Sequence, residues 1–509
     1  MLSAILLAIG AALAATYFVL LRSASYWRRR GIPYVSGPLF WGSCYDLFRI
    51  ENPRVLQYRE WSKIYGKTYG IKEGAFNTLV TSDLEMIQEI HIKQFQNFHA
   101  RKRTAFGPSS KKSSNQTVLN SKGETWKRLR HISSPSFTTG SLKRITTTVE
   151  DSALELIRVI ESRHGDGTPF NIHEFYQEYS MDNISKLVMG QKGSLFFENP
   201  RIDTVKKLTM RNFDSFFVYI IHALPFLRPL ADRLCSYAPL NKPFVELQNE
   251  IRRVVKKRIA EGNDTEDGEA QDFIDFFLEF AVDRLEDANN NDDGDTVKYK
   301  SKYLSVDEVI AQAIVFLIAG FDTTSNTLGF ATWVLANNPD VQKRIQEEID
   351  DSAFGENVSY DELMNLPYLD AVCRESLRVY PTGTFVNSRT CTQTTEVCGV
   401  KIEEGTGIQI DVVSLHLDKD IWGDDAEEFV PERWLDPARR VIPSAFLSFG
   451  IGPRFCIGTR LAMLVEKMAL VQLLRRYSVV KAEPDAQLRM KGSLGLTPVN
   501  VKITIEPRC

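Results

Sequence analysis

The chain has little of what marks a small secreted or a nucleic-acid-binding protein. Its 509 residues include only seven cysteines, an odd number without regular spacing. That usage excludes a disulfide framework, so Cys44, Cys235, Cys373, Cys391, Cys398 and Cys509 read as reduced thiols. Cys391 and Cys398 lack the accompanying Cys/His pair of a structural zinc site. With 62 basic and 65 acidic side chains the net charge is −3, so there is no electrostatic footprint for nucleic acid. No internal repeat is visible, and no Gly-x-Gly-x-x-Gly turn marks a dinucleotide domain. Charge is wholly missing from Met1 to Leu21.

That uncharged run is about 20 residues long, enough to span a ~30 Å hydrocarbon core as a helix. Arg22, Tyr26, Trp27 and then Arg28, Arg29 and Arg30 follow it. Aromatic rings suit the lipid interface, and an Arg cluster marks the cytoplasmic side. A cleaved signal peptide is the competing reading, but it would carry its positive charges before the run. We therefore expect a transmembrane anchor over 1–21 and a basic, Pro/Gly-rich linker over 22–49, punctuated by Gly31-Ile32-Pro33 and Gly37-Pro38. One large body over 50–509 would then face the cytosol. The sequons at Asn115, Asn183, Asn263 and Asn357 are chance matches in that setting.

Along the body, Thr68–Ile71 and Thr78–Thr81 predict short strands around a turn at Glu73-Gly74. From about residue 84 to 380 the pattern is mostly helical, as at Asp272–Phe277. The stretch 262–300 is a polar connector, most extreme at Asn289–Asp295. Beyond Pro381, Glu396–Ile402, Gly405–Ile410 and Val499–Ile505 predict strands. The expected fold is mainly α with a smaller β-rich part, in a single large domain.

The most informative stretch runs from Phe449 to Gly458: Phe-Gly-Ile-Gly-Pro-Arg-Phe-Cys-Ile-Gly. A cysteine thiolate that ligates haem iron needs backbone close to the porphyrin, which favours Gly452 and Gly458. It needs N–H groups aimed at the sulfur. Phe449 can shield it from water, and Arg454 can meet a haem propionate. A helix expected from Thr459 to about Arg475 turns its positive end toward Cys456, favouring the thiolate. A buried free cysteine in a glycine turn is the plainer alternative. Against it, Phe-x-x-Gly-x-Arg-x-Cys-x-Gly fixes five residues in ten positions.

This stretch resembles the haem-binding signature of the cytochrome P-450 superfamily at every fixed position. The resemblance extends in order over almost the whole chain. Glu375-Ser376-Leu377-Arg378 resembles the family's Glu-x-x-Arg element, whose two ends share a helix face. Pro431-Glu432-Arg433-Trp434 resembles its Pro-x-Arg-Phe element, with Trp in place of Phe. The resemblance implies that Arg433 joins Glu375 and Arg378 in one buried, structural cluster. Ala319-Gly320-Phe321-Asp322-Thr323-Thr324, in an apolar helix from about Val306 to Ala336, resembles the oxygen-binding element. There Gly320 would open the helix, Thr323 would hydrogen-bond bound oxygen and Asp322 would relay protons. An ordinary helix with Ser/Thr back-bonding is the alternative. Trp126-Lys127-Arg128-Leu129-Arg130 resembles the Trp-x-x-x-Arg helix, so Trp126 and Arg130 would reach a propionate, with Arg389 as a third contact. Phe106-Gly107-Pro108, Trp126–Arg130 and Ser134–Thr138 are similar, more narrowly, to the clan of vertebrate family-three drug oxidases and their nematode relatives.

The resemblance implies a haem b monooxygenase acting with O2 on an apolar small molecule, whether xenobiotic, steroid or fatty-acid-like. Its pocket walls would come from Thr104–Asn120, Asp214–Leu227, Ile314–Thr323, Thr382–Val386 and Gly492–Thr497, roofed by the Phe-rich stretch Phe213–Phe226. Electrons would come from a separate NADPH-cytochrome reductase, with a cytochrome b-type donor as a second source. Lys127, Arg128, Lys143, Arg144, Arg433, Arg439 and Arg440 would form the docking face. The expected location is the endoplasmic reticulum membrane. Two other functions stay open: a haem-thiolate isomerase or dehydratase acting on a peroxide, and a non-catalytic haem sensor or carrier. Retention of Asp322 and Thr323 weighs against the isomerase, which needs no proton relay.

Overall fold

The computed structural model describes residues 10, 14, 17, 18, 21–102, 116–227, 229–230, 242–261, 272–281, 303–352, 354–439, 441–492 and 495–508. Most of the run 1–21 lies outside these residues, as do Phe106-Gly107-Pro108, Asn115, Cys235, Asn263, the connector 289–295, Arg440 and Cys509. No helix among the described residues is long and apolar enough to cross a membrane.

The helices that place the site are α1 (Arg54–Tyr65), α2 (Gly123–Ser133), α3 (Thr139–His164), α4 (Ile172–Met189), α5 (Arg201–Thr209), α6 (Phe216–Ala223), α7 (Lys242–Glu261), α8 (Phe273–Leu278), α9 (Val306–Asn337), α10 (Pro339–Asp351), α11 (Pro367–Val379) and α12 (Thr459–Leu474). Helix α9 is apolar on nearly every face, and such a helix belongs in the middle of a body. Its start is fixed by a capping box. The Glu308 N–H donates to Ser305 Oγ at 3.2 Å, and the Ser305 N–H donates to Glu308 Oε2 at 3.0 Å. Helix α4 crosses α9 closely, with the Tyr176 and Thr332 hydroxyls hydrogen-bonded at 2.7 Å. A Cβ on Gly320 would lie 2.6 Å from Ile184 Cδ1. A side chain there would have to displace that of Ile184. Helix α9 runs through Gly320 unbroken, and the residue also lines the cavity described below.

The β-rich part is a four-stranded sheet of β1 (Thr68–Glu73), β2 (Phe76–Thr81), β3 (Ser388–Thr390) and β4 (Gly407–Ile410), in the order β1-β2-β4-β3. The hairpin turns at Gly74, which has φ +63°. Strand β2 runs parallel to β4, with Thr78 opposite Gly407, and β4 runs antiparallel to β3. The run expected at Val499–Ile505 splits at Asn500, whose φ is +56°. It forms two strands, Thr497–Val499 and Lys502–Pro507.

The segment after the apolar run does not lie where its composition places it. The Trp27 side chain is buried against β1, and its Nε1–H donates to the Ile71 carbonyl at 3.0 Å. Tyr26 is buried too, hydrogen-bonded to the Thr406 hydroxyl at 3.2 Å. These rings are therefore core residues of the sheet, and the lipid-interface role expected for them is corrected. Val35, Gly42 and Ser43 continue along the sheet, the Val35 N–H donating to the Gly70 carbonyl at 2.9 Å.

Beneath the body, Glu375 of α11 is fully buried with Arg378 and Arg433. Arg378 Nε donates to Glu375 Oε2 and Arg433 Nε to Oε1, both at 2.9 Å. The Trp434 indole N–H adds a bond to Oε2 at 2.9 Å, and the Val430 N–H one to Oε1 at 2.9 Å. Trp at the position where the family carries Phe thus supplies a donor that Phe lacks. The guanidinium groups spend their other N–H groups on the carbonyls of His416, Ala426, Glu428, Trp422 and Asp425. Every charge here has partners, as burial demands. Arg433 is accordingly structural and is removed from the expected docking face. Trp434→Phe is expected to cost about 1.5–3 kcal/mol, the worth of a hydrogen bond to a charged group. Glu375→Gln should cost more, about 3–5 kcal/mol, by stranding two buried cations. Urea unfolding curves of the two variants check the order.

Candidate haem site

An internal cavity of about 300 Å³ lies between α9 above and the loop before α12 below. Its lining is largely apolar and brings together Cys456, Phe449, Arg454 and Gly458 from the loop, Trp126 and Arg130 from α2, and Asp322 and Thr323 from α9. The loop folds back on itself: the Cys456 N–H donates to the Phe449 carbonyl at 2.8 Å. The Cys456 side chain sits deep in the body, and its accessible face opens on the cavity. Burial pushes its thiol pKa up. The Gly458 N–H, the Thr459 hydroxyl and the charges of Arg130 and Arg101 pull it back only in part. The helix end, through the Gly458 N–H, favours the thiolate as expected, and coordination to a metal would complete the deprotonation.

The two glycines differ in what they require. Gly452 has φ +73°, and a Cβ there would come within 2.2 Å of the His91 carbonyl oxygen. Its need for glycine comes from its turn and from the approach of His91. Gly458 lines the cavity with ordinary backbone angles and caps α12.

Four arginines gather on one side. Arg101, Arg130 and Arg454 line the cavity. Arg389, on β3, is buried beside Arg101 and Arg454, whose charges act on it. Arg454 donates to the carbonyls of His99 at 2.7 Å, Leu119 at 3.3 Å and Ser121, and its guanidinium lies 4.5 Å from the Trp126 ring centre. Trp126 thus supports Arg454. Among the described residues none of the four is paired with a carboxylate. Burial and mutual repulsion push Arg454 down to about 8, and burial pushes Arg101 down to about 10. Arg101 Nε and Arg389 Nε are buried without a hydrogen-bond partner among the described residues. A cluster of buried cations with no local anion fits a ligand bearing two carboxylates. Haem, with two propionates and an iron for Cys456, meets that requirement.

On the opposite wall, Thr323 Oγ1 donates to the Ala319 carbonyl at 2.7 Å, the back-bonding weighed as the plainer reading. Its oxygen still accepts from the cavity side. Burial pushes Asp322 up to about 6, against the pull of hydrogen bonds from Thr209 and Asn326.

Arg101 was missed because it sits in the run Ala100–Arg103, where nothing in the sequence separates it from solvated charge. Glu466 of α12 was also missed. It lines the cavity, and burial pushes it up to about 8. Ile314–Thr323 and Thr382–Val386 supply walls, and Val118 and Leu119 represent the described part of Thr104–Asn120. No described residue of Asp214–Leu227 or Gly492–Thr497 does so. The Phe-rich segment packs instead on the sheet side, where Phe48 stacks with Tyr219, while Phe216 and Phe226 are exposed. Arg128 turns inward to Glu308 and the Tyr303 carbonyl. Lys127, Lys143, Arg144 and Arg439 remain on the surface.

Comparison with known proteins agrees with this geometry. Three Caenorhabditis elegans proteins with provisional cytochrome P450 names are similar over 95% of this chain: CYP13A10 at 39% identity and CYP13A3 at 38%, each over 95% of its own length, and cyp-13B1 at 40% over 96%. The sequence model described as Cytochrome P450 matches residues 35–505. A signature loop, a cavity with cations waiting for two carboxylates, and relatives aligned end to end converge on one conclusion: the chain belongs to the cytochrome P450 family, whose members bind haem and act as monooxygenases.

Proposed function

We propose that this P450 monooxygenase inserts one oxygen atom of O2 into an apolar small molecule of the xenobiotic, steroid or fatty-acid-like kind. The observation that carries the substrate class is the apolar lining of the cavity around Thr323. Haem supplies binding and reductive activation of dioxygen. Cys456 would hold its iron, and Arg101, Arg130, Arg389 and Arg454 its propionates, with Trp126 beside Arg454. Gly458 directs its N–H at the sulfur, and Phe449 excludes water from it. The protein's other task is proton delivery. Asp322, pushed up to about 6 by burial, exchanges a proton at its carboxyl, and Thr323 passes hydrogen bonding on to the reacting oxygen.

No dinucleotide domain is present in the sequence, so the reading includes a separate NADPH-cytochrome reductase, with a cytochrome b-type donor as a second source. Lys127, Lys143, Arg144 and Arg439 would receive it. The apolar run before Arg22 supports a single-pass anchor in the endoplasmic reticulum membrane, with the body in the cytosol.

Three experiments test this. Cys456→Ala should abolish the thiolate-type absorption of the reduced carbon monoxide complex, while Cys391→Ala and Cys398→Ala leave it unchanged; an intact spectrum in the first variant would remove Cys456 as ligand. Thr323→Ala should keep haem and still consume reductant, yet release hydrogen peroxide in place of product. Its share of a general acid–base effect is ~10²–10⁴ in rate, reduced where Thr324 or water substitutes. The readout is product formed per reductant consumed, with an alkoxycoumarin that shifts the haem absorption. In wild type this ratio should fall as pH rises through about 6, because the Asp322 carboxyl, pushed up to about 6, loses its proton there. Asp322→Asn should lack that limb. An unchanged ratio in Thr323→Ala would favour the peroxide isomerase, which needs no relay. Finally, deletion of residues 1–21 should weaken sedimentation with membranes and spare haem incorporation; a truncated chain that expresses but binds no haem contradicts the anchor assignment.

A further inference from the structure

The α4 side of α9 carries polar groups that this chemistry leaves unused. His173 Nε2–H donates to Asn326 Oδ1 at 2.9 Å, and Asn326 Nδ2–H donates to Thr497 Oγ1 at 3.2 Å. Asn326 also hydrogen-bonds Asp322, as does Thr209 at the end of α5. On α4, His173, Ser180 and Ile184 are spaced seven and four residues apart and so share one face. His173 meets Asn326 of α9, and Ile184 meets Gly320. Ser180 lies between these two crossings and therefore faces the turn of α9 that holds Asp322 and Thr323. Asn183 follows three residues later on the adjoining face.

Ser180 and Asn183 line the same cavity as Asp322. They are 1% and 2% exposed, and neither Ser180 Oγ nor Asn183 Oδ1 has a hydrogen-bond partner among the described residues. Asn183 spends its amide N–H on the Tyr179 carbonyl at 3.0 Å. Buried polar atoms left without protein partners are the ones that ordered water satisfies in native interiors. Two of them, on adjoining faces and opening on one cavity, make a water site with more than one polar contact.

We propose that Ser180 and Asn183 form a water-binding subsite behind α9 from which Asp322 regains the proton it gives up. The proposal rests on the relay role read for Asp322. In the step, the Asp322 O–H bond breaks as its proton passes toward Thr323. A new O–H bond then forms on the carboxylate as the bound water gives up one proton while taking another from solvent, so that one of its O–H bonds breaks as another forms and no hydroxide is left. No electron moves. Thr209 and Asn326 are positioning residues, holding the carboxyl between the subsite and Thr323.

The test uses the full haem-loaded chain. Ser180→Val and Asn183→Leu, singly and together, close the subsite with apolar atoms of similar size. The carbon monoxide absorption and the affinity for the alkoxycoumarin probe should be unchanged. Product per reductant should fall roughly tenfold, below the ~10²–10⁴ of a lost general acid because Asp322 itself remains, and the solvent deuterium isotope effect on product formation should rise. Ser180→Ala gives a smaller effect in the same direction and serves if the double variant fails to load haem. Independently of turnover, a crystal structure of the haem-loaded wild type should show ordered water on Ser180 Oγ and Asn183 Oδ1. Unchanged coupling and isotope effect, or two atoms found dry, overturn the subsite. Weaker probe affinity with intact coupling also overturns it and marks a substrate contact. If the Thr323→Ala ratio instead shows that no relay operates, that reading fails by itself, and the crystallographic waters still decide the subsite.

Discussion

Glu375 has no access to water and holds two guanidinium groups, an indole N–H and a backbone N–H. It is the one anion in this network on which both fully buried arginines converge. Through Arg378 it reaches the segment 416–428, and through Arg433 and Trp434 the turn before the cysteine loop. Just before the loop, the Leu447 N–H donates to His416 Nε2 at 2.8 Å and the Ser448 hydroxyl to the Leu377 carbonyl at 2.7 Å. Buried ion clusters are poor sources of net stability, because desolvation offsets much of their attraction. What this one provides is a fixed path for the chain, and a ligand loop needs that more than it needs extra stability.

The arginine wall follows the opposite logic. There the cations are buried and no carboxylate of the described residues faces them, so they repel one another. Such an arrangement is costly in the protein alone and is relieved by an anionic ligand. The network under α11 fixes the chain without help, whereas the arginine wall is complete only with the group it binds. The two clusters thus divide the labour: one shapes the floor, the other selects what rests on it.

Legibility in the sequence tracked the distance between partners. Spacings within one element read correctly: Glu375 with Arg378, Trp126 with Arg130, the glycine turn of β1 and β2, and the helix after Cys456. Contacts between distant segments did not. Arg101 carries no local signature, and its role appears only when residue 101 meets Arg130 and Arg454. The closest neighbours of Gly452 and Gly320, His91 and Ile184, lie more than a hundred residues away along the chain and leave no local trace. Arg433, offered both to the docking face and to the buried cluster, is held by the cluster alone. Tyr26 and Trp27 show the same limit, since aromatic rings beside an arginine cluster read alike for a lipid interface and for a sheet core.

Trp27 carries one more consequence. A Cβ on Gly70 would lie 2.1 Å from its indole, so ring and strand occupy one another's space with no room to slip. The indole N–H is tied to the next residue of the same strand. A pull applied at residue 21 therefore does not stretch a slack tether. It loads β1 directly within a few residues, in the manner of a bolt through a plate, and the hydrogen bonds of β1 to β2 share the load along the length of the strand. Whatever the first residues are fastened to, the sheet will turn with it.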